Sequence, residues 1–499
     1  MATLTSLPTE LLLLIITHLE NQKDILNLAS TRRDLYSLLY THAFTSLRLD
    51  DNSHYQVTRL THVLAQKPQC ARAVRVLRFE PDLFHNPRGV PVEEHVKYDA
   101  GVIRPIVKKL TSALLSDVNA KKKNTNKDTD ALVDATVANW EKALKGGDQI
   151  DLWIALVLLL VPGVEELSLT FLYGSVYIRK LLLVVTTSMT MNNEMLLPGG
   201  ADGLEPPLSS FFSRLHTLSA RWCDTENGVP SSYILPFFRL PSLREFNGVS
   251  ITDGGPDDEY DLRGTGPPRN QDYYYFYDDG DYEPYPEYDD DPEEYFHRYP
   301  GDEDFSNVTH ITLTESNSEM GFPDLIRACR RLVSFVYEYG ECGGTLGRLA
   351  PRRFYGSLCK HKDWLEELTI CYDDWACGNG DPLESEFIGS FRDFKVLKRL
   401  RVRGVNILVQ DWKMPFDLLP PSLESLLIED FPAENNQNLI EQLRELRSVA
   451  QSQCPNLASL RVGGYWGDMQ PQEDGWPRYL EPTMGHAGDT CAIELVDCA

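Results

Sequence analysis

The chain has 499 residues, of which 42% are hydrophobic, and its 74 acidic against 48 basic residues give a net charge of −26. That length can bury a large core in up to about three domains, while so acidic a balance disfavours general nucleic-acid binding. The ten cysteines form no C-x-x-C pair and have no histidine at finger spacing, which argues against structural zinc and for reduced thiols inside a cell.

A helix is predicted to start near Leu7: Pro8 fits a first turn, Thr5 or Ser6 can cap it, and Glu10 suits its positive end. From Leu11 to Ile16 the apolar residues are unbroken and cover every side of that helix, so it needs cover on more than one side. Asp24 opens a second short helix with Ile25, Leu28 and Ala29, and Leu35, Leu38 and Leu39 recur at helical spacing in a third. About 40 residues cannot bury so much apolar surface alone, so the three-helix hook is expected to keep some for a partner. The run lacks a basic stretch before it and starts inside a capped helix, which argues against a signal peptide.

Leu7-Pro8-x-Glu10-Leu11, followed by Ile15 or Ile16, Leu19, Asp24, Leu28, Ser30 and Arg32 or Arg33, resembles the F-box motif. The resemblance covers about a tenth of the chain. It implies a hook that docks on the Skp-type adaptor of an SCF ubiquitin ligase, and through it a cullin scaffold, with the remaining chain selecting a protein substrate. On that reading Leu7, Pro8, Leu11, Ile15, Leu19 and Leu28 meet the adaptor. The alternative is that these helices only cap a repeat scaffold that binds a protein partner without any ligase.

After the hook a φ-x-x-φ-x-φ pattern returns ten times, with φ apolar or Gly: Val74-Leu77-Phe79, Val164-Leu167-Leu169, Leu215-Leu218-Ala220, Leu243-Phe246-Gly248, Val308-Ile311-Leu313, Leu332-Phe335-Tyr337, Leu365-Leu368-Ile370, Leu397-Leu400-Val402, Leu423-Leu426-Ile428 and Leu457-Leu460-Val462. Pro162, Pro241, Pro421 and Pro455 precede four copies at one offset, and proline stops a helix and favours extended neighbours. Helical patterns at Asp324–Arg331, Glu386–Phe394 and Gln437–Gln451 lie between later copies. The unit is therefore helix, stop, strand, and it resembles the irregular leucine-rich repeats of F-box proteins. Only Cys223 matches the Asn or Cys that such repeats carry three residues past the pattern, so no ordered Asn ladder is expected.

The expected fold class is α/β: a three-helix F-box at residues 1–48, then a curved leucine-rich-repeat-like solenoid at 49–466 with its parallel sheet concave and its helices convex. Two insertions interrupt it. The first, about 81–150, holds helices at Val102–Val118 and Thr129–Lys145 around a basic Lys121–Lys127 loop, and it precedes an apolar run, Leu152–Val161, too short for a bilayer and read as a buried helix. The second, about 253–305, carries 18 acidic residues against three arginines, and ten tyrosines, between Asp257 and Asp304. Few aliphatics and like-charge repulsion argue that it does not fold alone. It is read as a solvated loop, with a lure for a basic partner or a cover over a basic groove as alternatives. Residues 467–499 are read as a cap and tail.

No Walker A loop, dinucleotide fingerprint, H-E-x-x-H or G-x-S-x-G is present. Neighbouring acidic pairs such as Asp373-Asp374 would point to opposite faces of a strand, and the local Cys359/His361 pair is no sign of a site assembled in space. The chain is expected to be no enzyme, to hold no cofactor or metal, and to bind neither nucleic acid nor membrane, in the cytoplasm and/or the nucleus. Strand alternation turns the residues flanking the last two φ positions outward. Arg399, Arg401 and Arg403 then share one strand's concave side, with Arg221 and Arg461 at matching positions in other copies. Guanidinium groups suit bidentate capture of an acidic or phosphorylated target, unless Glu367, Glu429 or the acidic insertion already balances them.

Overall fold

The computed structural model describes residues 7–49, 54–80, 98–111, 126–146, 150–185, 211–223, 228–253, 303–340, 351–372, 387–407, 418–429, 453–464 and 492–497, except 20–21, 109–110, 172–176, 179–180, 183–184 and 319. The chain divides into two compact units, Met1–Asn227 with Tyr233–Val249 and Ser306–Ile311, and Gly228–Ser232 with Ser250–Phe305 and Thr312–Ala499.

The first unit opens with α1 (Thr9–Thr17), α2 (Gln22–Ser30) and α3 (Arg33–Leu39). Pro8 lies just before α1 rather than inside it, and its carbonyl accepts the Leu11 and Leu12 N–H groups at 3.1 Å, which starts the helix. There follow β1 (Ser46–Leu49), β2 (Val76–Phe79), β3 (Glu166–Phe171), β4 (Thr217–Trp222) and, in the second unit, the two-residue β5 (Val229–Pro230), then β6 (Glu245–Val249). Strands β1, β2, β3, β4 and β6 pair in parallel, each with the next. Ahead of β3, the helix Ile150–Leu160 buries Asp151 to Leu158, as its apolar sequence requires. The first insertion is helical over residues 100–108 and from Asn126 to Gly146.

In the second unit β7 (Ile251–Thr252) pairs with β5, and β8 (His310–Ser316), which belongs to this unit from Thr312 on, is followed by β9 (Ser334–Tyr339), β10 (Glu367–Cys371), β11 (Arg399–Arg403), β12 (Ser425–Glu429), β13 (Ser459–Gly464) and β14 (Ala492–Asp497). From β9 to β14 each strand is parallel to the next. All ten φ-x-x-φ-x-φ copies coincide with strands, and the first and second φ of every copy are buried.

A backbone device repeats with them. The carbonyl just before one strand accepts two successive N–H groups at the start of the next: Thr45 from Arg75 and Val76, Arg75 from Glu165 and Glu166, Glu366 from Lys398 and Arg399, Lys398 from Glu424 and Ser425, all between 2.7 and 3.0 Å. Each repeat thus fixes the register of its neighbour while the φ residues fill the space beneath. Pro162, Pro241, Pro421 and Pro455 all sit in turns before these joints, as expected of residues that cannot continue a helix.

Three expectations change. The Glu386–Phe394 pattern is no helix over its described residues: Gly389 takes φ +140, and the Ile388 and Phe391 N–H groups bond to the distant carbonyls of Asn406 and Leu418 at 2.9 and 2.8 Å. A Cβ on Gly389 would come within 2.8 Å of the Tyr355 ring, so both its backbone conformation and its space favour glycine. Two further strands, β1 and β14, extend the series read from the sequence, and β14 lies in the stretch expected to be a tail. The acidic segment up to residue 302, the Gln437–Gln451 pattern and most of the Lys121–Lys127 run lie outside the described residues.

Two polar side chains hold the second unit's turns, Asp253 half-buried and His361 fully buried. Asp253 accepts hydrogen bonds from the Ser318 hydroxyl and from the Met320 and Phe322 N–H groups at 2.6 and 3.1 Å, in the turn leading to the helix Pro323–Ala328. Burial pushes its carboxyl up to about 6 against those donors. His361 bridges the other end, with Nε2 3.0 Å from the Ile326 carbonyl and the Leu332 N–H donating to Nδ1 at 3.4 Å, and its burial lowers its basicity.

Candidate functional site

The hook closes a small core of Leu12, Ile16, Ala29, Leu35 and Leu39. Leu12 and Ile16 are one turn apart, so they face inward together, and Leu13 leans on the same core. The rest of the apolar run must then face away. Leu11 is 46% exposed, Leu14 55% and Ile15 37%, and Pro8 is exposed beside them. Leu26 on α2 and Tyr36 on α3 are exposed too, the latter stacked on Tyr40 with ring centres 4.7 Å apart. Five of the six large apolar side chains exposed among the described residues thus lie on these three helices, the sixth being Trp364.

Of the residues expected at an adaptor, Pro8, Leu11 and Ile15 face out. Leu7, Leu19 and Leu28 are half-buried and pack on the hook's own core. Leu14, Leu26 and Tyr36 were not singled out by the motif; the all-round apolar run signalled Leu14, but nothing in the sequence separated the other two from core positions.

The open face of the second unit's sheet gathers the arginines. In register across the strands run Ser334, Glu367, Arg399, Ser425 and Ser459, and beside them Val336, Thr369, Arg401, Leu427 and Arg461. Arg399 is paired with Glu367 at 3.1 Å. Arg401 holds Glu429 on one side at 2.7 Å and reaches across β10 to Glu338 on the other at 3.4 Å. The Glu429 carboxylate, only 14% exposed, also lies by the Cys371 thiol, which burial first and that carboxylate second push up.

Arg403 departs from the outward reading. It is 3% exposed and stacks over the Tyr372 ring at 4.6 Å, while its N–H donates to the Asn406 side chain at 3.3 Å. The residues Gly404–Ile407 are helical directly after β11. Arg461 is half-buried on β13, and Arg221 is exposed on β4 of the first unit. The strand thus presents Arg399 and Arg401, both already facing carboxylates, and the acid-capturing capacity of this face is largely met from within.

Cys359 and His361 form no pair, since the histidine is held between Ile326 and Leu332, and burial raises the Cys359 thiol above its ordinary range. A protonated thiol is a poor nucleophile. No group of three or more His, Cys, Asp or Glu that could hold a metal occurs among the described residues, and none of the described helices is long and apolar enough to cross a membrane.

A family model of the leucine-rich repeat domain matches residues 301–465. No curated protein and no solved structure matches the chain. The matched span runs from β8 to β13, so this part of the parallel sheet is of the leucine-rich type, a type of repeat that usually binds proteins.

Proposed function

We propose that this chain is the substrate-recognition subunit of an SCF-type ubiquitin ligase. Its hook docks on a Skp-type adaptor, which links it to a cullin, and its repeats hold a protein target; the chain itself is no enzyme. Catalysis is then proximity, because a scaffold places the target beside a ubiquitin-loaded enzyme. The observation that carries this reading is the concentration of exposed apolar side chains on the three hook helices, at Leu11, Leu14, Ile15, Leu26 and Tyr36. A helix that only capped the repeats would turn that side toward them. Burying a leucine or isoleucine contributes roughly 1.5–3 kcal/mol each, so three such residues on α1 give enough to anchor a partner.

A crosslinking pulldown from cells tests it. The intact chain is expected to bring down a Skp-type adaptor, a cullin and a target, whereas the Leu11→Asp/Leu14→Asp chain keeps the target and loses the ligase subunits. A repeat scaffold without a ligase would bring down the same partners in both forms.

A further inference from the structure

The turns that lead into β9, β10 and β11 lie side by side, because Ser334, Glu367 and Arg399 begin those strands in register. Three positions ahead of each strand stand Arg331, Trp364 and Val396. Trp364 is 43% exposed, and among the described residues it is the one large apolar side chain that lies open outside the hook. Arg331 Cζ lies over its ring, 4.3 Å from the centre. Such stacking uses the face of a guanidinium and leaves its N–H edge for an acceptor. Among the described residues no carboxylate pairs with Arg331: Glu366, close enough to feel its charge, is held by Lys398 at 2.8 Å. On the same turns, Lys362 has only a distant carboxylate, Asp393 at 3.8 Å, and Lys395 pairs with Asp363 at 2.7 Å while its side chain stays 73% exposed.

The acidic segment ends beside this stack. Asp304 is held three ways: its N–H donates to the Arg327 carbonyl at 3.3 Å, its carbonyl accepts from Arg330 Nε at 2.6 Å, and its carboxylate pairs with Lys360 at 3.0 Å. Glu303 pairs with Arg327 at 3.4 Å and with Lys360 at 3.5 Å. Arg330 adjoins Arg331, and the residue after Lys360, His361, accepts the Trp364 N–H on its carbonyl at 2.9 Å. Just ahead of this anchored end, residues 281–299 carry eight acidic side chains, five tyrosines and three prolines against one arginine.

We propose that the Arg331–Trp364 stack is a docking site for residues 281–299 of the same chain, with tyrosine or proline rings on the open side of the indole and carboxylates on Arg331, Lys362 and Lys395. The inference stands apart from the ligase reading. The chemistry matches on both counts, since aromatic and proline rings stack on an indole and an uncommitted guanidinium edge takes a carboxylate. The tether reaches: Glu294 is nine residues before Glu303, a span of up to about 30 Å when extended. Holding the segment there gives it an effective concentration on the order of millimolar, so contacts that are individually weak at an exposed rim suffice together. Charge decides between this segment and an acidic one from another molecule. A chain of net charge −26 repels a second acidic protein at long range, whereas the tethered segment needs no encounter. An outside segment of the same acidic, aromatic chemistry has to compete with the internal one.

The test is zero-length coupling of lysine amines to carboxylates in the full chain, read by mass spectrometry of the joined peptides. Lys362 and Lys395 are expected to couple to carboxylates of residues 281–299, while coupling of Lys360 to Glu303 and Asp304 serves as the internal reference. In Arg331→Ser/Trp364→Ser, whose changed side chains are exposed and whose melting temperature is expected to hold, the first yield falls about tenfold and the reference stays. Arg331→Glu alone, which leaves the indole in place, lowers the first yield as well. No coupling from Lys362 or Lys395 to the segment in the unmodified chain, or an unchanged yield in either folded variant, overturns the site. A yield that rises with protein concentration would assign the stack to a second copy and overturns it too.

Discussion

Leu12 in the hook and Leu368 in β10 are both buried, but their surroundings differ. Leu368 sits in a row with Phe335, Leu400 and Leu426, each buried against the next repeat, so the apolar groups of one strand are covered by the neighbours before and after it. Leu12 shares its core with residues of the short helices α2 and α3, and Leu11, Leu14 and Ile15 beside it on α1 are exposed. A stacked unit gains cover from its copies, whereas the hook has no copy and this side of it stays exposed. The difference locates the large apolar side chains left exposed among the described residues.

That contrast predicts opposite responses to truncation. Phe335→Ala, which removes a fully buried ring from the row, is expected to cost about 3–5 kcal/mol of stability, read as a lowered denaturant midpoint. Leu14→Ala in the hook, at 55% exposure, should leave that midpoint within about 0.5 kcal/mol. A large loss at Leu14 would mean that the hook's outer side is already covered within the chain.

Asp253 sharpens the second unit's side of the comparison. Its folded value of about 6 lies above the ordinary 3.8, so the folded chain holds this proton more tightly than the unfolded one. Its contribution is complete below pH about 4 and is lost as pH rises through about 6, a change of about 3 kcal/mol. Stability profiles of the chain and of Asp253→Asn, measured by denaturation from pH 4 to 7, should therefore differ in slope across that window; parallel curves would mean that the carboxyl does not titrate in the folded chain's interior. His361 acts with the other sign, since its lowered basicity takes stability away as pH falls below its ordinary 6.5.

The smallest expected effect belongs to Arg401. Its two carboxylate pairs are 40% exposed on the arginine side, and exposed pairs contribute about 0–1 kcal/mol. Arg401→Ala should shift the denaturation midpoint by no more than that, with Glu429 left as the more buried partner. A loss of several kcal/mol would show that the pairs on this face are structural supports.

The strands were legible because one pattern fixes two things at once, the inward row by alternation and the joint by the φ residue three positions ahead. Phe44-x-x-Leu47-x-Leu49 obeys the same pattern and forms β1, but it is hidden at the end of the hook; β14 begins after Thr490, which breaks the first position. At 386–394 the helical spacing marked burial without marking a helix: Ile388, Phe391 and Phe394 are all in the core, reached by an irregular path through Gly389. Alternation also gave the outward direction of Arg399 and Arg401, and it failed for Arg403 because direction says nothing of what covers a side chain. Glu338 joins Arg401 from two strands away, a contact that no reading of one strand reveals. In the hook, the motif placed the helices, but which leucines face out depended on how α2 and α3 close over α1.

If the hook's apolar side is an adaptor-docking surface, direct titration of the purified chain with a purified Skp-type adaptor shows it most directly. The unmodified chain is expected to bind saturably, with a loss of at least about a hundredfold in Leu11→Asp/Ile15→Asp, whose melting temperature stays that of the parent. No binding by the unmodified chain, or equal binding by the folded variant, would contradict a docking role for this side of the hook.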